Sequence, residues 1–250
     1  MAESLMDRRT VYGQRAKLGV IVPPTNTTNE AEWQLMAPTD VSIHSARMPL
    51  HTDTTSAAGQ AALYNDIATY ATDLSRADVD VIIYGCTAGS MVTPVTSLAD
   101  FITSRTGIPG LTTAQAIVAA LQSLSVNRLS VATPYHDAMN QHEKSFLQEH
   151  GFEVVSMEGL GYGEHGPEEY RNIARVCPET VTELVTGIDD QRSDAVLVSC
   201  TDLVSLPVIA QLEATLNKPV ISSNSATLWR ALRIAGVDDT IPDGGSLFEC

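Results

Sequence analysis

The sequence repeats its own plan about 111 residues on, and that duplication restricts the chain to a fold made of two similar halves. "KLGVIVPP" at 17–24 aligns with "RLSVATPY" at 128–135, an offset of 128 − 17 = 111. "DVIIYGC" and "DAVLVSC" place Asp80 and Asp194, and likewise Cys86 and Cys200, 114 residues apart. "GIPGLTTAQAIVAAL" and "NKPVISSNSATLWRAL" each read as a short strand, a hydroxyl-rich turn and a helix. Anchors in the same order at a nearly constant offset define halves of 17–124 and 125–250, with a last helix able to return to the first half.

Within each half, runs rich in Val and Ile alternate with amphipathic segments. "NEAEWQLM" reads as a helix and "VSIHSARM" as a strand. "AALYNDIATYATDLSRA" sets Leu63, Ile67, Tyr70, Ala71 and Leu74 on one helical face. Strands apolar on both faces and separated by helices imply a parallel sheet covered on each side. The expected fold is α/β: two pseudo-twofold-related halves, each a mainly parallel four-stranded sheet flanked by helices, with the active site in the cleft between them.

The opening residues 1–16, "MAESLMDRRTVYGQRA", are polar and lack the apolar stretch of a signal peptide. They read as a flexible tail or a capping arm. No apolar run of about eighteen residues is present, which excludes a transmembrane helix and points to the cytoplasm. The formal charge of −15 argues against nucleic acid and anionic membranes as partners. It also means that an anionic substrate must be held by local donors. Cys86, Cys177, Cys200 and Cys250 show no C-x-x-C spacing, so no metal is expected and the thiols should stay reduced in a cytosol.

The duplication gives two of the cysteines meaning. In open parallel sheets, ligands bind at the carboxyl ends of strands. Cys86 and Cys200 both sit there, followed by Thr87 and Thr201. A pseudo-twofold turns the two thiols towards each other across one cleft. A thiol beside the first N–H groups of a helix has its thiolate favoured, and such a thiolate serves as a nucleophile or a base. The next backbone N–H is then a donor for a carboxylate or an oxyanion. A lone strand-end cysteine usually only fills space; two at equivalent points of a repeat are harder to read that way. Cys177 and Cys250 have no such context and carry no assigned role.

The cysteine pair at mirrored strand ends resembles the aspartate/glutamate racemase superfamily. Within it, "GVIVPPTNTTNE" (19–30) is similar to the opening signature of maleate cis-trans isomerases. "VATPYHDAMN" (131–140) and "PVISSNSATLWRALRIAG" are similar to segments shared with arylmalonate decarboxylases. The likeness runs from about Lys17 to Phe248. Racemases of that superfamily follow the first cysteine with Asn-Thr, whereas here Thr87 and Ala88 follow; decarboxylases carry glycine in place of Cys86. Maleate isomerases keep both cysteines. The resemblance therefore implies a cofactor-independent cis-trans isomerase of a small dicarboxylate, with Cys86 and Cys200 catalytic. It implies substrate donors at Asn26, Tyr135 and Asn172, helped by the hydroxyls of Thr25, Thr27, Thr87 and Thr201. Asn26 has a second reading, as the cap of the helix that starts near Asn29.

No metal, nucleotide or flavin is signalled, since the glycines of "GLGYGEHG" lack the strand–turn–helix setting of a dinucleotide site. Gly159–Tyr170 reads as a lid over the cleft or as a mobile surface loop. Ala88, Met91 and Val204 are expected to set the pocket's size. His51, His136 and His165 are left without a role. The alternatives are a two-thiol racemase or epimerase, an arylmalonate-type decarboxylase, and a carboxylate-binding protein without catalysis. A homodimer or higher homo-oligomer is the expected assembly.

Overall fold

The computed structural model describes residues 10–54, 56–92 and 94–250. Most of the expected N-terminal tail lies outside them. Of its last residues, Arg15 donates to Asp239 near the chain's other end (2.9 Å), and Ala16 already opens the first strand.

The first half runs β1 (Ala16–Val22), α1 (Asn29–Met36), β2 (Val41–Arg47), α2 (Ala57–Ser75), β3 (Val81–Tyr84), a single turn α3 (Thr87–Ser90), α4 (Ser97–Thr106), β4 (Gly110–Thr112) and α5 (Thr113–Ser123). The second repeats it as β5 (Arg128–Tyr135), α6 (Asp137–Glu149), β6 (Glu153–Tyr162), α7 (Pro178–Ile188), β7 (Ala195–Val198), α8 (Leu206–Leu216), β8 (Val220–Ser222) and α9 (Ser223–Ile234). The sheets have the orders β2-β1-β3-β4 and β6-β5-β7-β8, parallel throughout. β1, β3, β7 and β8 are buried along their whole length, as strands covered by helices on both faces must be.

The duplication extends to single hydrogen bonds. Lys17 N–H donates to the Asp80 carboxylate (2.7 Å) and Arg128 N–H to Asp194 (2.8 Å), which fixes where the third strand of each half begins. Gly85 N–H donates to Ile21 C=O and Ser199 N–H to Ala132 C=O, both at 2.8 Å, just before each cysteine. The hydroxyl-rich turns are helix caps. Thr112 accepts from Gln115 N–H ahead of the α5 body, and Ser222 from Ser225 N–H ahead of that of α9.

α9 packs on α5 and also touches α1, β1 and β3. The two helices share one core with the inner faces of both sheets, including Leu18 and Val20 from the first and Leu129 and Val131 from the second. Each such side chain contributes about 1.5–3 kcal/mol when fully buried, so this shared core fixes the two sheets relative to each other. On the far side, α2 buries Leu63, Ile67, Ala71 and Leu74. Tyr64, on the same helix, meets Phe101 edge-on at 4.8 Å. Among the described residues, no helix is long and apolar enough to cross a membrane.

Candidate active site

The carboxyl ends of both sheets open on one cleft of about 410 Å³. Its wall comes from the loops that the strands feed: Thr25 and Asn26 after β1, Leu50–Thr54 after β2, Cys86–Gly89 after β3, and Cys200–Asp202 after β7. Tyr135 ends β5, α6 adds Met139 and His142, and the 3-10 stretch Pro167–Arg175 adds Tyr170 and Ile173. Among the described residues, no lysine or arginine is part of this wall.

The two thiols are built alike but not equally. Each has a tyrosine against it: Tyr84 beside Cys86, and Tyr135 beside Cys200. Burial pushes the Cys86 thiol up, while the Gly89 N–H and the Tyr84 hydroxyl pull the other way. Burial pushes Cys200 up to about 12 against the Tyr135 hydroxyl and the Asp202 N–H, which reaches the sulfur at 3.3 Å. Both sulfurs line the cleft, but Cys86 is half-buried and Cys200 buried. The smaller upward push therefore falls on the more accessible sulfur. Both phenols are raised well above their usual range, chiefly by burial. Tyr170, at the cleft's other side, is raised by burial and then by its proximity to both thiols.

The helix-start environment expected for the cysteines is therefore incomplete. Behind Cys86 only the single turn α3 follows, and after Cys200 the chain makes a turn before α8 begins at Leu206. What assists each sulfur is a phenol and one N–H, from the turn α3 for Cys86 and from the loop at Asp202 for Cys200, in surroundings dry enough to favour the thiol.

Asn26 does both things its sequence context suggests. Its Oδ1 accepts from the N–H groups of Thr28 (3.1 Å) and Asn29 (3.0 Å), holding the entry to α1, and its Nδ2 donates to the Thr201 hydroxyl (3.0 Å). The Thr201 hydroxyl in turn donates to Gly85 C=O (3.3 Å), next to Cys86, and the Thr87 hydroxyl donates to Ser223 (3.0 Å). Both threonines line the cleft, but their hydroxyl protons bind the halves together. Thr25 is half-buried in the wall.

Asn172 is not brought to the cleft. In the tight 3-10 stretch, Tyr170 and Ile173, three apart, share the inward side; Asn172 falls off it and accepts from Arg175 (2.8 Å). Part of the expected lid is also different: Gly159–Tyr162 belong to the edge strand β6, and only Tyr170 of that segment reaches the pocket. Of the expected size-setting residues, Ala88 lines the wall and Met91 and Val204 do not. His51 does line it, but is paired with Asp66 at 2.9 Å.

Several contributors have no distinct signal in the sequence. Tyr84 reads as one more apolar residue of β3, and its place two residues before Cys86 is the one local cue to its role. Asp202 lines the cleft with its Oδ1 held by the N–H groups of Thr27 (2.9 Å) and Thr28 (3.2 Å). Its carboxyl is raised by burial against those bonds.

Two thiols face one cleft, on opposite halves, over nearly the whole length of a duplicated chain. A family model described as arylmalonate decarboxylase matches residues 18–248. The chain belongs to the arylmalonate decarboxylase family. The chain is also similar to maleate isomerases: that of Pseudomonas putida KT2440 is 28% identical over 250 residues, covering 94% of this chain and 97% of its own. The arylmalonate decarboxylase of Bordetella bronchiseptica is 35% identical over 133 residues, 52% of this chain and 53% of its own. Among solved structures, a cysteine-to-alanine variant of the maleate isomerase Iso from Pseudomonas putida S16, crystallised with maleate, matches with a TM-score of 0.81. It is 26% identical and covers 93% of this chain and 97% of that one. A solved arylmalonate decarboxylase matches equally well, with a TM-score of 0.81 at 28% identity, so the expected α/β fold of two similar halves is shared with both groups.

Proposed function

We propose that the protein is a cofactor-independent isomerase that converts a small cis-dicarboxylate of the maleate type to its trans form. The observation that carries this reading is the pair Cys86 and Cys200, both present, on opposite walls of one cleft, each beside a tyrosine. The full-length likeness to maleate isomerases supports it.

Rotation about a C=C bond needs the double bond to be lost and restored. Cys86 is the more accessible thiol and the one less strongly raised, which makes it the nucleophile. Cys86 first gives its proton to bulk solvent; the thiolate, met by the Tyr84 hydroxyl and the Gly89 N–H, then bonds through its sulfur to one alkene carbon. The electron pair of the former π bond moves to the other carbon, where the adjacent carboxylate spreads it as an enediolate or Cys200 supplies a proton. Cys200, pushed up to about 12, keeps its proton at neutral pH and suits that part. Rotation about the new single bond, return of the proton and expulsion of the thiolate give the trans product. Asn26, Thr25 and Tyr135, with loop N–H groups, bind the carboxylates without a formal positive charge. The enzyme works in the cytoplasm, where its thiols stay reduced, and as a homodimer.

A two-thiol racemase is the second reading, because sulfurs on opposite walls also suit removal and return of an α-proton. Proton NMR in deuterated buffer separates the two. The wild type, Cys86→Ser and Cys200→Ser are offered maleate and then chiral α-substituted acids. Fumarate formed by the wild type and lost in Cys86→Ser supports the isomerase. Untouched maleate, with α-proton exchange that both variants lose, overturns it in favour of the racemase.

A further inference from the structure

Glu32 and Glu143 occupy matching places in the two halves. Each stands three residues after an asparagine, Asn29 or Asn140, on the helix that follows the first strand of its half. The offsets 143 − 32 and 140 − 29 are both 111, the offset that relates Lys17 to Arg128. Both glutamates are buried, at 4% and 1% exposure.

Their partners differ completely. Glu32 accepts from the N–H groups of Ser205 (2.6 Å) and Leu206 (2.8 Å), from the Ser205 hydroxyl (3.0 Å) and from Asn224 Nδ2 (2.7 Å), all in the other half. Among the described residues, Glu143 has no hydrogen-bond partner for either carboxyl oxygen, and the hydroxyl of Ser199 is unpaired as well. Asn140, one turn earlier on α6, is fully engaged: it accepts from the Thr133 hydroxyl (2.5 Å) and donates to Tyr135 C=O (3.3 Å).

Glu143 therefore sits behind the Cys200 arm of the cleft. Ser199, its polar companion, is the residue before Cys200, and Tyr135 lies in the carboxyl's electrostatic field. The titratable groups that share these surroundings are Tyr135 on β5, Cys200 after β7 and Cys86 after β3. β6, packed on α6, contributes the exposed Glu158 and the half-buried Tyr162, and α6 itself carries His142 and Lys144; none is paired with Glu143. A buried carboxylate with no cation and only the hydroxyl of Ser199 beside it is strongly disfavoured, whereas a neutral acid has one O–H of its own to offer that hydroxyl.

We propose that Glu143 is a positioning residue for the Tyr135–Cys200 arm, held there as an uncharged acid, and that its ionisation closes the cleft to anionic substrate. The proposal rests on the dicarboxylate reading above. Burial raises the Glu143 carboxyl to about 8, with Ser199 acting the other way. Below that pH the arm carries no charge behind it. Above it, one negative charge opposes the substrate's carboxylates and holds the proton of Tyr135 more firmly. Substrate binding is then lost while the proton inventory of the arm is kept.

The test is kcat and KM for maleate from pH 6 to 10 in the wild type and in Glu143→Gln, whose amide can donate to Ser199 but cannot ionise. The wild-type KM should rise by about tenfold between pH 7.5 and 9.5, as expected when one added like charge disfavours an anion, with kcat changing little. In Glu143→Gln, KM should stay flat over that range. A rise at the same pH in both proteins, or an alkaline loss confined to kcat, overturns the proposal. The infrared difference between wild type and Glu143→Gln gives a second readout, independent of turnover. A protonated carboxyl band that disappears with a midpoint near pH 8 supports the uncharged acid; an ionised carboxylate at pH 7 overturns it. If the wild type leaves maleate untouched at every pH, the isomerase reading alone fails, and the infrared titration still decides the state of Glu143.

Discussion

The side-chain amide of Asn26 donates to the Thr201 hydroxyl at 3.0 Å, tying the turn after the first strand to the residue that follows the second cysteine. The same side chain accepts from two N–H groups at the start of α1. Asn26→Asp keeps the acceptor and loses the donor, placing a negative charge in the wall. Its stability should change by no more than about 1–2 kcal/mol, while kcat/KM for maleate falls by at least about 100-fold. Asn26→Ala should lose both, destabilising by about 2 kcal/mol because two N–H groups are left unpaired in a buried turn. Thermal melts beside steady-state kinetics separate the two effects.

The cysteines should differ in reactivity in a defined order. Cys177 and Cys250 are exposed, Cys86 is half-buried at the cleft, and Cys200 is buried with its thiol pushed up to about 12. Thiolate is the reacting form, so alkylation should mark Cys177 and Cys250 first. Cys86 should follow as pH rises, and Cys200 should remain unmodified in the folded protein through pH 10. Peptide mapping by mass spectrometry after timed iodoacetamide treatment measures this directly. Equal rates for Cys86 and Cys200 would remove the asymmetry on which their assigned roles depend.

The repeated features are legible in the sequence because they are local and occur twice. The strands, the hydroxyl-rich caps Thr112 and Ser222, and the cysteines at strand ends all follow from short patterns at a fixed offset. Residues that work across the halves leave no such pattern. Ser223 and Asn224 read as helix-start residues; their bonds to Thr87, Glu32 and Asn29 arise only when α9 packs beside the first half. Asn172 departs from its expected place for a related reason. Its likeness is one of sequence, while the geometry of a 3-10 turn decides which of its residues face inward, and those are Tyr170 and Ile173. Tyr84 is hidden by its own strand, where a buried phenol looks like any other apolar residue.

Gly89 leaves room for the Tyr84–Cys86 contact. A Cβ added there would come within 2.5 Å of the Tyr84 hydroxyl oxygen and 3.0 Å of the Cys86 sulfur. Gly89 adopts ordinary helical backbone in α3, so Gly89→Ala carries no conformational strain of its own and favours the turn slightly. The variant should still fold, losing about 1–3 kcal/mol as the buried phenol is pushed aside, and by separating the phenol from the thiol it should lower kcat by roughly 10- to 100-fold, the scale of losing one assisting donor. Tyr84→Phe, measured alongside, should lower kcat to a similar extent.

Glu32 should be the most sensitive single point in the contact between the halves. Four donors from the second half converge on it, two of them backbone N–H groups at the start of α8. Glu32→Ala strands them in a buried site, which costs about 3–5 kcal/mol. For a chain of this size that is a fall in melting temperature of roughly 6–20 °C. Glu32→Gln, which keeps two acceptor lone pairs but places an NH2 against donors, should fall between Glu32→Ala and the wild type.

Glu143 should give the opposite result when made neutral, and the sign depends on pH. Its folded-state value, raised by burial to about 8, lies above the ordinary 4.5. Folding therefore favours the protonated form. That contribution is complete below the unfolded value near 4.5 and is lost as pH rises to about 8, after which the folded state carries the full cost of a buried charge. The total change is on the order of 5 kcal/mol at most, since each tenfold difference in proton affinity between the folded and unfolded chain is worth about 1.4 kcal/mol. Glu143→Gln has no such dependence. Urea melts of both proteins at pH 5, 7 and 9 should show the stability difference moving steadily in favour of Glu143→Gln, with most of the movement complete by pH 8 to 9. A difference that stays constant across those three pH values would mean that Glu143 is solvated or paired in solution and ionises at its ordinary pH.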